Sequence, residues 1–412
     1  MIPTSLTGLM RWLIFQCDNN VKYINIQLVM KKISVIFAAL ALLAASCTKT
    51  EVVSSDVQSS QRGIGFSAYT AKPTKAAQKD VTTEDFNSFE VTAIGNGAVY
   101  FDNVTFMWKS GSNVWESDPL YFWPSYALDF YAYNTPADGN GTFTRSITTT
   151  APQTLTYSPA AELAKQEDLV VAYATSKKES DATSTNNSLA LTFNHYLTQV
   201  VVNAKCSNAG YTVVVDGVKL ANLAGEGTYT FSTGQMVATD GKVNSETSSD
   251  YSSTFTAKTL TSSPKEVMAE TNGKWYLVPQ TVASWKRSPT ESTESETNEM
   301  KNASNGTYLA LKVKITSAGG SKIYPFSGDE SAWMAVPVPA GLAFAQGKKY
   351  NVTVDFFSST GNGAGYVDPE KPGELDGITS TDDSGKKIIG GAIKFDATVT
   401  EWGDAVDVLI SL

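Results

Sequence analysis

The chain has 412 residues, with 32 lysines and arginines against 41 aspartates and glutamates, so its formal net charge is −9. This length is enough for two domains of about 150 residues each. The acidic balance argues against nucleic-acid binding, which requires clustered cations that displace counterions from phosphates. A negative charge of this size is typical of a soluble surface domain that resists association by self-repulsion.

The beginning of the chain carries the pattern of an export signal. Two lysines, Lys31 and Lys32, follow Met30, and the apolar run 33–45 is too short to span a bilayer comfortably. A charged n-region before a short apolar h-region is typical of a secretory signal peptide. We therefore predict that Met30 is the true start and that residues 1–29 are an upstream extension. The alternative is that they form a longer n-region.

The predicted signal ends at a cysteine. Residues 43–47, Leu-Ala-Ala-Ser-Cys, resemble a bacterial lipobox, in which the cysteine becomes the first mature residue and carries the lipids. We predict removal of the signal peptide 30–46 and lipidation of Cys47. Stable attachment to a membrane requires two anchors, and the several lipid chains on such a cysteine meet this requirement. An ordinary signal peptide with a chance cysteine is the alternative. Cleavage before Cys47 would remove residues 1–46, which hold four basic residues and one acid, so the mature chain would hold 28 basic and 40 acidic residues, a net charge of −12.

Most of the mature chain places apolar residues at every second position. Residues 309–315, 350–356 and 393–399 alternate strictly, and 128–133 and 211–215 are also apolar enough for strands. Clusters of Gly, Ser, Thr and Asn separate these runs, which favours antiparallel sandwiches over βαβ units. We therefore predict an all-β fold, with room for one short helix over residues 159–170.

Three long polar stretches interrupt the strands, at residues 176–188, 287–307 and 358–387. Structureless loops of this length are uncommon inside compact domains, so we predict that all three are exposed. We place the domain boundary near residue 186. The predicted organisation is a tether or pro-segment at 47–62, an N-terminal β-sandwich at 63–186 and a C-terminal β-sandwich at 187–412.

The apolar pattern changes phase within residues 189–204. Odd-numbered positions are apolar up to residue 197, and even-numbered positions are apolar from residue 200 onwards. A one-residue slip moves side chains to the opposite face of a strand. We therefore predict a β-bulge or a crossover between sheets near Thr198 and Gln199.

Residues that could do chemistry are few. His195 is the single histidine of the chain and lies in the apolar row, so we interpret it as a hydrogen-bonded core residue. Without a second histidine or a cysteine cluster, the chain has no zinc-site pattern, and it has no P-loop or nucleophile elbow. Cys206, the one cysteine after Cys47, is interpreted as a buried inert thiol. We predict no catalytic residues, no metal site and no cofactor.

Six aromatic residues cluster between positions 115 and 130. Aromatic faces stack on sugars, so the cluster could be a carbohydrate platform. We interpret it instead as the core and rim of the first sandwich. Its members are Trp115, Tyr121, Phe122, Trp123, Tyr126 and Phe130.

Five segments, in this order along the chain, resemble the fimbrillin family, which comprises type V pilins and related lipoproteins of anaerobic gut and oral bacteria. Together they extend over most of the mature chain, and their order is more specific than any one of them. They are YFWP at 121–124 with LDFYAY at 128–133, LTFNHYLT at 191–198, YLVPQ at 276–280, GKKY at 347–350 and IKFDATVTEW at 393–402.

The resemblance implies two tandem transthyretin-like β-sandwich domains and export as a lipidated precursor to the outer membrane. It also implies polymerisation after a trypsin-like protease removes an N-terminal strand. A strand from the next subunit would then refill the groove. Removing a strand leaves unpaired backbone groups and an apolar slot, which together template an incoming strand.

Two positions are candidates for that cut. Arg62 directly precedes the strand-like segment 63–68, but the only apolar stretch before it is the short 51–53. Lys75 is the rival, and a cut there would release 64–69 as the removed strand. The remaining alternative is that neither bond is cut.

The chain ends on an apolar alternation. We interpret this segment as a donor strand, and the alternative is that it is simply the last strand of the second sandwich. Its apolar residues are Val406, Val408, Ile410 and Leu412.

We predict a structural or adhesive pilus subunit, without enzymatic activity. Its partners would be other pilin subunits, a trypsin-like maturation protease and an unidentified host or bacterial surface ligand. The first alternative is a surface glycan-binding lipoprotein, which a solvent-facing coplanar row of Trp or Tyr would favour. The second is a glycosidase, which would need two carboxylates about 5–9 Å apart in a cleft.

Overall fold

The computed structural model describes residues 62–70, 86–183, 187–239, 249–269, 273–285, 306–325, 328, 330–339, 341–360, 365–367 and 392–401. Strands dominate this part of the chain, and its helical structure is confined to short 3₁₀ turns, so the predicted all-β class is confirmed. No helix among the described residues is long and apolar enough to cross a membrane. The short helix predicted over 159–170 is reduced to a three-residue 3₁₀ turn, Leu163–Lys165.

The strands in chain order are β1 (Gly65–Thr70), β2 (Ser88–Gly95), β3 (Ala98–Lys109), β4 (Val114–Ser117), β5 (Leu128–Tyr133), β6 (Gly141–Ser146), β7 (Thr154–Pro159), β8 (Val170–Lys177), β9 (Ser188–His195), β10 (Thr198–Cys206), β11 (Tyr211–Leu223), β12 (Gly227–Thr230), β13 (Gln235–Ala238), β14 (Ser249–Thr259), β15 (Lys265–Glu266), β16 (Trp275–Leu277), β17 (Gln280–Thr281), β18 (Tyr308–Ser317), β19 (Lys322–Tyr324), β20 (Ala332–Pro337), β21 (Ala343–Phe344), β22 (Lys348–Ser358), β23 (Tyr366–Val367) and β24 (Ala392–Glu401).

The first sheet closes into a seven-stranded barrel in the order β1-β4-β3-β2-β5-β8-β9, with β9 pairing back to β1. The closing pair, β1 with β9, is parallel, whereas the other pairs in the barrel are antiparallel. Aromatic side chains fill the interior, as expected for a small barrel. The fully buried ones are Phe66, Phe89, Phe106, Trp123, Phe130 and Phe193.

A four-stranded sheet, in the order β13-β12-β7-β6, covers the outside of the barrel at β5 and β8. Tyr131 and Val171 alternate with interior residues along these two strands, yet both are buried. They are buried because Leu155 of β7 and Tyr229 of β12 pack against them in one cluster. The covering sheet therefore joins strands from before and after residue 186.

Two further sheets share the largest core. One contains β10 between β22 and the short strands β15 and β16, with β24 beyond β22; the other runs β14-β11-β18-β20-β23, with β19 beside β18. Val202 and Val354 of the first sheet and Val215 and Leu311 of the second belong to one buried cluster. The strands β18, β22 and β24 confirm the three strict alternations seen in the sequence. A small sheet of β17 and β21 completes the fold.

The predicted change of sheet lies where the apolar phase slips. Strand β9 ends at His195 in the barrel, and β10 begins at Thr198 in the sheet with β22. Residues 196–200 are all buried, because this segment passes from one core into the next. The crossover alternative is therefore confirmed.

Two features correct the prediction of antiparallel sandwiches. The barrel is closed rather than an open pair of sheets, and two pairs, β1 with β9 and β10 with β22, are parallel. Pairing partners far apart in sequence leave no trace in the alternation of one strand. The period of a strand reports which face is buried, and it does not report which strand lies beside it.

Candidate functional site

Strand β1 is the first described strand and the one that closes the barrel. It pairs in parallel with six residues of β9, from Gly65 opposite Ser188 to Thr70 opposite Phe193. On its other side the antiparallel pairing with β4 is limited to Gly65 and Phe66. Without β1, the strands β4 and β9 would therefore each be an edge strand of the sheet.

The inward face of β1 is anchored in the aromatic core. Ile64 and Phe66 are fully buried and Ala68 nearly so. The Phe66 ring lies 4.8 Å from the ring of Phe106 and 5.3 Å from that of Phe130, both edge-to-face. Burying one such side chain stabilises a fold by about 1.5–3 kcal/mol, and edge-to-face contacts add to this. Withdrawing β1 would expose an apolar slot at the centre of the barrel.

Withdrawing β1 would also expose backbone groups on β9. The six-residue register means that a row of N–H and C=O groups on β9 would lose its partner. Unpaired edge groups beside an apolar slot form a template for an incoming strand. The geometry of β1 is therefore suited to the exchange of one strand for another.

Of the two candidate cleavage sites, the described residues include Arg62. Its side chain is 59% exposed and its Nε lies 3.4 Å from Glu179 Oε1. Its Nη1 lies 3.5 Å from Asn187 Oδ1. Arg62 thus lies three residues before Gly65, the first residue of β1, and directly before the segment that the sequence predicted to be strand-like.

The other predicted site residues lie outside the described residues. They are the lipidation site Cys47, the rival cleavage site Lys75, and the donor-strand residues Val406, Val408, Ile410 and Leu412. These assignments stay predictions.

His195 is confirmed as a hydrogen-bonded core residue. Its Nδ1 lies 2.5 Å from Asp168 Oδ2, and both side chains are almost completely buried. The Asp168 backbone is held in turn by Asn134, whose Nδ2 donates to the Asp168 carbonyl at 2.8 Å. Asn134 Oδ1 accepts from the Val170 backbone N–H at 2.7 Å. The pair fastens the segment before β8 to the end of β9.

Cys206 is confirmed as a buried thiol. It is 7% exposed at the end of β10, and burial raises the pKa of its thiol above the ordinary value. The thiolate is the nucleophilic form, so a raised pKa makes this cysteine less reactive. The environment of Cys206 is that of a small core residue.

The aromatic cluster is confirmed as core and rim. Trp115, Trp123 and Phe130 are buried in the barrel, whereas Phe122 is 40% exposed. Trp115 Nε1 donates to the Phe86 carbonyl at 3.1 Å. In the part of the chain that the structure describes, no three His, Cys, Asp or Glu residues group closely enough to hold a metal ion.

Three residues of this region could not be identified from the sequence. Asp168 contacts His195 from 27 positions away, and Glu179 and Asn187 reach Arg62 from more than 115 positions away. The one local signal was at Asn187, since asparagine is enriched at positive φ and this residue has φ of 56°. That signal indicates a turn and does not indicate its partner.

A sequence model of the fimbrillin-like family matches residues 52–365. The chain belongs to the fimbrillin-like family. Membership gives the coarse functional class of the chain, which is that of a fimbrillin-like fimbrial protein. The predicted resemblance is thereby confirmed.

Several solved structures are similar to this fimbrillin-like protein. A candidate cell adhesion protein of Bacteroides uniformis is 15% identical with a TM-score of 0.38, covering 82% of this chain and 99% of that one. One of Bacteroides ovatus is 13% identical with a TM-score of 0.40, covering 83% and 98%. The fimbrial anchor protein Mfa2 of Porphyromonas gingivalis is 11% identical with a TM-score of 0.30, covering 73% and 93%. No curated protein matches the sequence.

Proposed function

We propose that this fimbrillin-like protein is a structural or adhesive subunit of a surface pilus. It is exported as a lipoprotein anchored through Cys47 and assembles by strand exchange with other subunits. A trypsin-like protease starts assembly by detaching an N-terminal strand. The proposal keeps two tandem transthyretin-like domains but moves their boundary from near residue 186 to the segment after His195, where the chain leaves the barrel for the next sheet.

The placement of β1 carries this proposal. One short strand close to the N-terminus closes the barrel and fills its centre with Phe66. Losing that strand would leave both an apolar slot and an unpaired edge, and a second strand of similar pattern would restore both. A closed barrel that depends on one strand, the first that the structure describes, is suited to the exchange of that strand.

The position of β1 favours Lys75 over Arg62 as the cleavage site. Arg62 precedes the strand, so a cut after Arg62 would leave β1 in the barrel. A cut after Lys75 would detach β1 together with everything before it, including the lipid anchor. Water would add across the Lys75–Ala76 peptide bond, leaving a carboxylate on Lys75 and an amine on Ala76.

The incoming strand in this proposal is the C-terminal segment of a neighbouring subunit. Val406, Val408, Ile410 and Leu412 alternate with Asp407, Leu409 and Ser411, as Ile64, Phe66 and Ala68 alternate with Gly65 and Ser67. The matching period would place one apolar row in the vacated slot. The alternation on both segments supports the exchange.

Limited trypsin digestion of the purified full chain tests the proposal. We expect a product that begins at Ala76, loss of the β1 peptide, and oligomers detected by light scattering. Lys75→Gln should prevent the product that begins at Ala76, whereas the matched change Lys79→Gln should not prevent it. A chain that ends at residue 405 should be cut and should remain monomeric. Cleavage after Lys75 with loss of β1 and no oligomers would contradict strand exchange.

The glycan-binding alternative has weaker support. Trp115, Trp123 and Phe130, the most obvious candidates for stacking on a sugar, are buried in the barrel core. Their rings are therefore not presented to a ligand. A coplanar exposed row is what this alternative required, and the aromatic cluster does not provide it.

A further inference from the structure

The peptide bond between Arg62 and Gly63 is held in a fixed position although the Arg62 side chain is exposed. The Trp123 backbone N–H donates to the Arg62 carbonyl at 3.3 Å, and the Ile64 N–H donates to the Tyr121 carbonyl at 2.7 Å. Gly63 between them forms an antiparallel β-bridge with the same loop. Both sides of the bond are thus paired with the chain around residue 122.

Asn187 holds the two residues that flank the same bond. Its Nδ2 donates to the Gly63 carbonyl at 3.0 Å, while its Oδ1 faces the Arg62 guanidinium at 3.5 Å. The residue has φ of 56° and stands directly before Ser188, the first residue of β9. Because of this left-handed turn, one amide side chain contacts the residues on both sides of the Arg62–Gly63 bond.

A trypsin-like protease cannot use the bond in this arrangement. Hydrolysis adds water across the Arg62–Gly63 peptide bond, giving a carboxylate on Arg62 and an amine on Gly63. Before that step the Arg62 carbonyl must enter the oxyanion hole of the protease and accept its N–H groups. That carbonyl already accepts a hydrogen bond from the Trp123 N–H. The residues beside the bond can enter the protease only if Ile64 leaves the core.

The ion pair between Arg62 and Glu179 contributes less to this protection. The Arg62 side chain is more than half exposed, and exposed ion pairs are weak because water screens them. The Trp123 N–H binds the carbonyl of the Arg62–Gly63 peptide group itself, and the Asn187 amide holds the Gly63 carbonyl of the next peptide group. Asn187 is therefore the side chain on which protection of the bond should depend most.

We propose that Asn187, with a smaller contribution from Glu179, makes the Arg62–Gly63 bond resistant to trypsin-like proteases in the folded chain. These two residues thus determine where the protease cuts first, because they exclude cleavage after Arg62, the arginine three residues before β1. The inference rests on the proposed function only in the identity of the protease class. Protection of the bond is a property of the folded chain whether or not it assembles.

The test is a time course of limited trypsin digestion on the full chain, with mass spectrometry of the product that begins at Gly63. Asn187→Gly keeps the positive φ and removes the amide. We expect it to release that product about fivefold faster than the parent chain, the change that corresponds to one hydrogen bond of about 1 kcal/mol. This holds because cleavage follows the population of the opened form when reclosing is fast.

Two further variants separate the contacts. Asn187→Asp keeps an acceptor for Arg62 and loses the donor to Gly63, so we expect faster cleavage here as well; Glu179→Gln should have an effect below twofold. Asn113→Gly is the matched control, since Asn113 also has positive φ (55°) and lies in an exposed turn. It should leave the rate unchanged.

Cleavage of the folded parent chain after Arg62 as fast as in Asn187→Gly would overturn the inference. Protection that persists in Asn187→Gly and Asn187→Asp would overturn the role of Asn187. Neither outcome decides the proposed function, which depends on oligomers forming after cleavage at Lys75. Conversely, a chain that never forms oligomers can still show the protection of Arg62.

Discussion

The buried pair of Asp168 and His195 shows how a polar contact can fasten two segments inside an apolar core. Both side chains have left water, and each compensates the other at 2.5 Å. Breaking such a pair leaves a polar group buried without its partner, which costs more than the pair itself contributes. The role of His195 is therefore structural, and it depends on Asp168.

We expect Asp168→Ala to lower the free energy of unfolding by about 3 kcal/mol, because it removes the buried carboxylate that His195 Nδ1 contacts. Asp168→Asn keeps an oxygen that can accept from His195 Nδ1 and should cost less. Urea denaturation of both variants measures the difference. Equal losses in the two variants would contradict a dependence on the hydrogen bond.

Buried tyrosines limit the stability of the folded chain at alkaline pH. Burial raises the pKa of Tyr157, Tyr229 and Tyr251 above the ordinary value near 10. Their protonated forms therefore favour the folded state: this stability is complete below about pH 10 and is lost as the pH rises further. Tyrosinate absorbance should rise together with unfolding in an alkaline titration. Ionisation of all tyrosines before any loss of structure would contradict this.

The role of a residue could be predicted from the sequence where it depended on the type and position of that residue alone. The position of His195 in an apolar row was enough to place it in the core, and the isolation of Cys206 was enough to predict a free thiol. Their partners could not be predicted, because Asp168 meets His195 only after β8 and β9 have folded together. Contacts between distant segments depend on topology, which one sequence does not contain.

At the scale of elements, one strand closes the barrel, and one short segment connects the barrel to the next sheet. Strand β1 pairs with β9, and two residues after β9 the chain enters another sheet as β10. The alternation of apolar residues predicted most strands and located this change of sheet. It did not predict the parallel pairing of β1, since a buried face has the same period in either direction.

The contribution of β1 can be measured by one substitution. Phe66→Ala should lower the free energy of unfolding by about 3–5 kcal/mol, because the ring is fully buried among Phe89, Phe106 and Phe130. Phe122→Ala is the matched control: it removes a ring that is 40% exposed and should cost far less. Similar losses in both variants would show that β1 is not anchored by its ring.

At the scale of the whole molecule, the covering sheet joins the barrel to the later strands. Leu155 of β7 belongs to one buried cluster with Tyr131 of the barrel and Tyr229 of β12. The Gln166 Oε1 also accepts from the Tyr276 N–H at 2.8 Å, which links the segment before β8 to β16. The barrel and the later sheets therefore share both apolar and polar contacts.

Because of these shared contacts, we predict that the barrel and the later sheets unfold together. We expect Leu155→Ala to remove about 2–5 kcal/mol and to lower hydrogen-exchange protection in β5 of the barrel and in β12 by similar amounts. Val215→Ala, inside the other core, should affect the amides of β18 more than those of β5. Loss of protection limited to β7 in Leu155→Ala would contradict the coupling.

The pairing of β1 with β9 has a consequence for the order of events during folding. Gly65 and Ser188 are neighbours across the sheet although 123 residues separate them along the chain. Contacts between such distant positions form slowly, because a long loop must close before they gain any stability. We expect the hairpin of β2 and β3 to form early and the barrel to close last. A newly exported chain would thus pass through a stage in which β9 is still without its neighbour and is open to capture by another molecule.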